Sequence, residues 1–477
     1  MNYSIRKVGV IVLGLLKSYD KTKNIMTLFF SVMLMCRFVS VYWVMPHVVD
    51  GTIFFIISAG ALFFIGSDFI KNKNILKTEN IVLLILFFVS CVISCLMFVR
   101  YGYLENLKAL ISIAVSLLFL YPFAEVTGQE KTRELIILFQ KILITFWMTF
   151  AIISIGMFFV GYTSITYMHG TRILLGCIEN RLFGMFSDPN YASVVSILTI
   201  IFSIAILNYR EQKKWMRVVC VSNIIVQYIY IVLGASRTGE VCLMFCVFFS
   251  CFVYSYKLKP KSKIHFLALR ILASLLICAV VHYCIEYSRL LLSYIPPIFE
   301  SLFGNSFNET ENGKFILRHI SMDRPDVVES NDISNLRFRI WSSAMGIFKT
   351  TWLFGASPRN ALIYAKEVLP KSFIVERGYD AHNFYVATLL YTGLSGAVFL
   401  GMFLIKSAFK IVMFYIKKCF VVKDVLLNSI VISTICIAVS GFFVSEILFI
   451  TTVGSFVFWL FLGYIMSMIR KSSSEDM

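Results

Sequence analysis

Charged residues are scarce in this chain of 477 residues: 15% are Asp, Glu, Lys or Arg, whereas 58% are hydrophobic. A soluble domain of this length would need far more charge on its surface. Apolar runs of about 20 residues recur along the chain, and each is long enough to cross a bilayer as a helix. Because backbone groups in lipid must hydrogen-bond within their own segment, these runs predict helices. We therefore expect an all-α, polytopic membrane bundle that forms one integral membrane domain over residues 1–477.

The sequence also lacks the motifs of several chemistries. It contains no phosphate-binding glycine loop, no zinc-spaced set of His and Cys, and no Asp-x-Asp pair for a divalent metal. Of its 12 cysteines, only Cys177 falls in a segment predicted to lie outside the membrane, so no disulfide framework is expected. We expect no metal and no cofactor. Arginine would then have to stabilise the charge on any phosphorylated leaving group.

The apolar runs predict twelve membrane spans. Their approximate limits are 25–45, 51–69, 80–98, 104–123, 136–160, 191–208, 217–235, 240–256, 266–285, 382–405, 425–443 and 448–468.

The net charge of +17 follows the membrane topology and does not indicate a nucleic-acid partner. Lys and Arg are concentrated in one set of loops, whereas the short loops of the opposite set hold only Arg100, Arg172, Arg181 and Arg237. Basic loops stay in the cytoplasm, so both termini are predicted to be cytoplasmic.

A long segment, residues 286–381, connects spans 9 and 10 on the predicted outer face. Arg289–Phe303 and Asn335–Leu353 both carry helix-spaced apolar residues. In the second stretch the spacing is i+3 and i+4, at Leu336, Ile340, Ala344 and Ile347. A loop of this length in a compact protein usually has a function. We expect short amphipathic helices that cap a site.

Polar residues collect at three predicted helix starts on the outer face. These are Asp188-Pro189-Asn190, Asp380-Ala-His382-Asn383, and the turn Ser236-Arg237-Thr238-Gly239-Glu240. Asp188 and Asp380 are typical helix caps, and Pro189 fits a first turn. The position of Arg237 is also explained if its side chain only anchors the turn at the membrane–water interface. His382 could cap or pack, although a neutral imidazole near arginines would suit a general base.

The outer face is richer in arginine than in lysine, which indicates recognition of phosphate or carboxylate. Helix N-termini also favour anions. Its arginines are Arg172, Arg181, Arg237, Arg289, Arg318, Arg324, Arg337, Arg339, Arg359 and Arg377. Arg37 lies within span 1 and must pair with another group, which the sequence does not identify.

Four motifs in this order resemble the superfamily of O-antigen ligases and Wzy-type polysaccharide polymerases, and the large outer loop before His-Asn agrees. They cover roughly residues 170–400. The motifs are Arg181-x-x-Gly184-x-x-x-Asp188-Pro189-Asn190, Ser236-Arg237-Thr238-Gly239, Arg339-x-Trp341 followed by Leu353-Phe-Gly355, and His382-Asn383 followed by Gly393-Leu-Ser-Gly396.

This resemblance implies a metal-independent glycosyltransferase acting on undecaprenyl-pyrophosphate-linked glycans at the outer face of a bacterial cytoplasmic membrane. Arg181, Arg237, and Arg337 or Arg339 would then bind the pyrophosphate. His382 would accept the proton of a sugar hydroxyl, and Asp380 or Glu240 would orient it. Asp188, Asn190 and Asn383 would position the helix starts. The partners would be the lipid-linked oligosaccharide and membrane lipid, with a chain-length regulator and a flippase as further candidates.

Two alternatives remain open at this point. A polymerase transfers the chain to a new lipid-linked repeat unit, whereas a ligase transfers it to a glycolipid or protein, and no motif separates them. We favour the polymerase because such proteins are the commoner members of polysaccharide clusters. A flippase for lipid-linked oligosaccharides belongs to a different class. It would need a central cavity open alternately to both faces, whereas the polar motifs here lie at one face.

Overall fold

The computed structural model describes residues 2–71, 74–208, 212–254, 263–298, 334, 336–418 and 422–475. Within these ranges the chain is predominantly α-helical, which confirms the predicted fold class. The helices are α1 Asn2–Phe38, α2 His47–Lys71, α3 Ile81–Met97, α4 Tyr103–Ala114, α5 Phe123–Thr127, α6 Gln129–Phe159, α7 Pro189–Leu207, α8 Lys214–Gly234, α9 Arg237–Tyr254, α10 Lys263–Ser293, α11 Arg337–Thr350, α12 Ala361–Val368, α13 Phe373–Arg377, α14 Phe384–Lys417, α15 Val425–Ser440 and α16 Val453–Glu475.

Among the described residues, eight helices are long and apolar enough to cross a membrane. The apolar helices α3 and α15 are shorter and coincide with two further predicted spans. The predicted spans 25–45 and 240–256 coincide with parts of α1 and α9. The chain is thus an integral membrane protein, and the number twelve stays a prediction.

α7 and α16 lie at the centre of the bundle, because 72% and 89% of the residues in their most apolar 18-residue stretches are buried. Small hydroxyl side chains along α7, including Ser193 and Ser203, are buried against neighbouring helices. Asn223 of α8 donates to Ser203 Oγ at 3.0 Å. Small and polar residues of this kind allow close helix packing in membranes. These buried side chains fix the positions of α7, α8 and α9 relative to one another, and so support the polar helix starts.

A three-stranded antiparallel sheet lies between α6 and α7, in a connection for which the sequence predicts no strands. Its strands are β1 Thr163–Met168, β2 Thr171–Ile178 and β3 Arg181–Gly184. Both turns have two residues, His169-Gly170 and Glu179-Asn180, and all four residues have positive φ. Such turns match the twist of paired strands. The second turn makes Arg181 the first residue of β3.

The Arg37 side chain pairs with Asp50 through two hydrogen bonds of 2.7 Å. This pair fixes the end of α1, and the residues beyond it contact the segment between β3 and α7. Ser40 N donates to Met185 O at 2.8 Å, and Ser187 N donates to Phe38 O at 3.1 Å. Arg37 therefore has a structural partner, and its neighbourhood supports the Asp188 helix start.

α14 is interrupted at Gly393, whose φ of 63° and ψ of −165° are not helical. The segment before α12 packs directly on this break. Leu394 N donates to Trp352 O at 2.7 Å, and Ala356 N donates to Leu390 O at 2.8 Å. Backbone groups freed inside a membrane protein must find such partners. The two motifs Leu353-Phe-Gly355 and Gly393-Leu-Ser-Gly396 therefore form one structural unit.

The predicted amphipathic helix of the long loop is confirmed as α11. Ile340, Ala344 and Ile347 are buried along one side of it. The stretch Arg289–Phe303 differs, because its first residues continue α10 as far as Ser293. Residues 299–333 and 335, including Arg318 and Arg324, lie outside the described residues.

Candidate functional site

Arg181 lies at the start of β3 with only 7% of its surface exposed. Its Nε donates to Gly234 O at 3.2 Å, and its Nη2 donates to Asn190 Oδ1 at 2.9 Å. Both acceptors are neutral oxygens. These bonds fix the direction of the guanidinium.

Asp188 caps α7, as its position before Pro189 predicts. Its Oδ1 accepts from Asn190 N at 2.6 Å and from Tyr191 N at 3.4 Å. The Asn190 side chain faces away from this cap and contacts two other motif residues. Besides Arg181, Ser236 Oγ donates to Asn190 Oδ1 at 3.0 Å. One amide oxygen thus joins the first motif to the second.

The second motif forms the first turn of α9. Ser236 Oγ also accepts from Gly239 N at 3.0 Å, so Ser236 caps the helix. Gly239 is required here because a Cβ would lie 2.5 Å from Ser193 Cβ of α7. This close approach brings Arg237 and Arg181 to the same end of the bundle.

The His-Asn motif begins α14. Asn383 is buried, and its Oδ1 accepts from Tyr385 N at 2.9 Å and from Val386 N at 3.0 Å. His382 precedes it with a φ of 46° and an exposed side chain. The Tyr391 hydroxyl donates to Asp380 Oδ1. Asn383 therefore positions the helix, while Asp380 and His382 present their side chains beyond it.

α11 presents Arg337 toward α9. Arg337 Nη2 donates to Thr238 Oγ1 at 3.2 Å, and its guanidinium lies 4.9 Å from the centre of the Phe443 ring. The Arg339 guanidinium instead lies 4.5 Å from the centre of the Phe373 ring. Residues two apart point to nearly opposite sides of a helix. Only one of these two arginines can therefore face α9.

These elements enclose a cavity of about 950 Å³. It brings together Arg181, Arg237 and Arg337 with Asp188, Asn190, Asp380 and His382. Glu240, Arg339 and Asn383 are not among its lining residues. The lining is formed by Glu179, Arg181, Asp188, Asn190, Tyr191, Arg237, Val241, Ser334, Leu336, Arg337, Phe338, Ile340, Trp341, Tyr379, Asp380, His382, Phe443, Val444 and Ile450.

Three residues that line the cavity have a left-handed backbone, and none of them is a glycine. Glu179, Leu336 and His382 have φ values of 54°, 65° and 46°. This conformation costs energy for a residue with a Cβ, and such strain is concentrated at functional sites.

Glu240 lies beside the cavity and contacts α10. Its Oε1 is 2.8 Å from His282 Nδ1. Among the described residues, Glu240, His282 and Glu286 form a group whose ligand atoms lie within 4.8 Å of one another. Glu286 also pairs with Arg289 at 2.7 Å. Glu240 therefore contacts α10 in this structure, and its predicted role toward His382 stays a prediction.

Glu446 is a buried carboxyl that is not among the site residues predicted from the sequence. It lies in the connection between α15 and α16, and Ser440 Oγ donates to its Oε1 at 2.6 Å. Burial raises the pKa of Glu446 to about 8, whereas the Ser440 hydrogen bond acts in the opposite direction. Its signal in the sequence is a lone carboxylate in the apolar stretch Phe442–Ile450, which marks a buried polar position.

The fold and the cavity define a polytopic membrane protein with an arginine-rich pocket formed at three helix starts. Residues 223–401 match the family model described as O-Antigen ligase. This match confirms the resemblance and supports a membrane glycosyltransferase of the ligase or polymerase type. The matched segment contains the Arg237, Arg337 and His382 motifs, whereas Arg181 and Asp188 precede it. A comparison with curated proteins finds no match.

Proposed function

We propose that the protein is a polymerase of lipid-linked polysaccharide repeat units. It transfers a glycan from undecaprenyl pyrophosphate to a sugar hydroxyl at the outer face of a bacterial cytoplasmic membrane. The observation that carries this proposal is the convergence of Arg181, Arg237 and Arg337 on the cavity that also contains His382 and Asp380. The family match supports the class of reaction and a lipid-linked oligosaccharide substrate.

The arginines would bind the pyrophosphate. A planar guanidinium donates two parallel hydrogen bonds to phosphate oxygens, and the N-termini of α7 and α9 add partial positive charge. These groups interact most strongly with the negative charge that develops on the pyrophosphate as it leaves. The arginines supply this charge, so we propose that the reaction requires no metal ion.

His382 would act as the general base. The bond between the anomeric carbon and the pyrophosphate oxygen breaks, and its electron pair stays on the pyrophosphate. The acceptor oxygen forms the new bond to the anomeric carbon, and its proton passes to the His382 imidazole. Asp380 lines the same cavity two residues before His382, which favours it over Glu240 as the carboxylate that orients the imidazole.

A ligase would use the same donor cavity and the same base, with a glycolipid or protein as acceptor. The two reactions are distinguished by their products, a longer lipid-linked chain or a modified acceptor. A flippase is less well supported, because Arg237, Arg337 and His382 lie at helix starts and Arg181 lies at the start of β3, and none of the four lies midway along a helix.

The test is His382→Ala in purified protein supplied with the lipid-linked repeat unit and EDTA. Loss of a general base should reduce transfer by roughly 10²- to 10⁴-fold, while binding of undecaprenyl pyrophosphate is retained. His47→Ala is the matched control, since His47 is exposed and lies outside the cavity lining. Normal chain extension by His382→Ala would refute the assigned base. A strict need for a divalent metal would refute the metal-independent mechanism.

A further inference from the structure

A second, smaller cavity lies on the other side of Asp380. Its volume is about 260 Å³, and it is enclosed by α11, α12, the start of α14 and the connection between α15 and α16. The side chains of Arg359 and Tyr379 are exposed at its surface, whereas Ala381 and Leu390 are buried in its wall. The cavity therefore opens at the end of the bundle that carries the large cavity.

The two cavities share part of their walls. Tyr379, Asp380 and Ile450 line both. Asp380 is held in this position by the hydroxyl of Tyr391, which also lines the small cavity. The Asp380 carboxylate is thus fixed between the large cavity and the small cavity.

The chemistry of the small cavity fits a sugar ring. Pro358, Leu362 and Phe449 give it apolar walls, and the polar groups at its lining are few: Asp380, Arg359 and the hydroxyls of Tyr379 and Tyr391. Small-molecule sites combine apolar walls with a few placed polar groups in this way. Its volume is just below the roughly 300–1,000 Å³ typical of sites for larger ligands, which suits a single ring.

A transferase with two substrates needs two subsites that meet at the reacting atoms. We propose that the small cavity binds the terminal sugar of the acceptor glycan and that Asp380 accepts a hydrogen bond from a ring hydroxyl next to the attacking one. This inference rests on the proposed function, which places the donor pyrophosphate in the large cavity. During transfer the acceptor oxygen bonds to the anomeric carbon of the donor. Its proton goes to His382, and undecaprenyl pyrophosphate leaves with the electron pair of the broken bond.

Two variants test this subsite. Arg359→Gln removes a charged donor at its opening, and Leu362→Trp reduces its volume. The probes are a lipid-free repeat-unit oligosaccharide as acceptor and the lipid-linked repeat unit as donor. Each variant should raise the KM for the oligosaccharide by about tenfold. Arg359→Gln loses one charge-assisted contact, and Leu362→Trp fills space that the sugar ring would occupy. The Kd for undecaprenyl pyrophosphate, measured without acceptor, should stay at its wild-type value.

Matched controls exist on α12 and on α13. Arg377→Gln makes the same change at an exposed arginine of α13, and Ile363→Trp makes the same enlargement at an exposed residue next to Leu362. Neither residue lines a cavity that we describe. Both control variants should keep the wild-type KM and Kd.

The outcomes separate the two proposals. If transfer and donor binding are normal but the acceptor KM is unchanged in both variants, the subsite is wrong and the proposed function stands. If both variants weaken binding of undecaprenyl pyrophosphate, the small cavity belongs to the donor and the subsite is again wrong. If the wild-type protein neither binds undecaprenyl pyrophosphate nor transfers the glycan, the proposed function fails and the subsite fails with it.

Discussion

At the scale of single residues, the arginines differ in the groups that hold them. Arg37 and Arg289 pair with the carboxylates of Asp50 and Glu286. The hydrogen bonds described for Arg181 are instead accepted by a carbonyl and an amide, and Arg337 donates to a threonine hydroxyl. A carboxylate partner neutralises a guanidinium, whereas a neutral oxygen only orients it. The carboxylate pairs support a structural role for Arg37 and Arg289, whereas the position of Arg181 and Arg337 in the cavity lining is consistent with ligand binding.

Arg181→Lys should therefore bind undecaprenyl pyrophosphate nearly as poorly as Arg181→Ala. An ammonium cannot contact Gly234 and Asn190 together and still present a planar pair of donors to the phosphate. We expect the Kd to rise by about 10- to 100-fold in both variants, as for loss of one charge-assisted hydrogen bond. Direct binding to purified protein measures this.

Arg289→Lys is the control, because Lys can keep a charge interaction with Glu286 and Arg289 does not line the cavity. Wild-type affinity in Arg181→Lys would show that charge alone is sufficient at this position.

The sequence predicts the local role of a residue better than it predicts its partners from distant segments. The caps at Asp188 and Asn383 follow from local chemistry, because each bonds to amides two or three residues away. The choice between Arg337 and Arg339 depends on how α11 is rotated, which the sequence does not specify. Glu240 has the charge to orient a histidine, but the histidine beside it is His282, 42 residues along the chain.

At the scale of elements, the break in α14 depends on two glycines. A Cβ on Gly393 would lie 2.4 Å from Leu353 C, and a Cβ on Gly355 would lie 2.4 Å from Tyr391 C. Both residues have positive φ, 63° and 71°. The backbones of the two segments can therefore touch only where both lack side chains.

Gly393→Ala should destabilise the protein by more than about 2 kcal/mol, because positive φ and a backbone clash both oppose the new methyl group. A lower midpoint of thermal unfolding in detergent would measure this. Gly401→Ala is the control within the same helix, since nothing lies within 4 Å of a Cβ there. It should leave stability unchanged or raise it slightly. Equal midpoints for the two variants would contradict this account of the break.

The small sheet is an element that the hydropathy pattern does not predict. Residues 163–178 are rich in Thr and Ile, which favour strands, and the pairs His169-Gly170 and Glu179-Asn180 form the turns of the sheet. Neither pair is a strong hairpin signal such as Asn-Gly. Strands this short are stabilised by contacts with α6, α8 and the turn Ser40–Val44 that follows α1, which no local pattern predicts.

At the scale of the whole molecule, the helices and their approximate limits were predictable from hydropathy, but their neighbours were not. Arg181, Arg237, Arg337 and His382 are separated by some 45 to 100 residues from one motif to the next, yet they line one cavity. Hydrophobic runs indicate which segments enter the membrane. They do not indicate which helices pack against each other. That order depends on close contacts such as Gly239 against Ser193.

The predicted orientation can be tested with a pair of cysteine variants made in a background without native cysteines. Arg172→Cys lies on the exposed side of β2, and Lys213→Cys lies at the start of α8 on the opposite, basic set of loops. A membrane-impermeant maleimide should label the first in intact cells and the second only after permeabilisation. Each position is the control for the other. The reverse pattern would place the arginine-rich cavity in the cytoplasm and contradict the proposed reaction site.

The left-handed residues of the cavity have a consequence for how this protein can change. Glycine would adopt the backbone conformations of Glu179, Leu336 and His382 more easily, but it would remove the side chains that line the cavity. Substitutions that relieve strain are commonly accompanied by a loss of activity. The cavity is therefore the region in which thermostabilisation and turnover favour different residues, and a stabilised variant of this protein should be sought outside it.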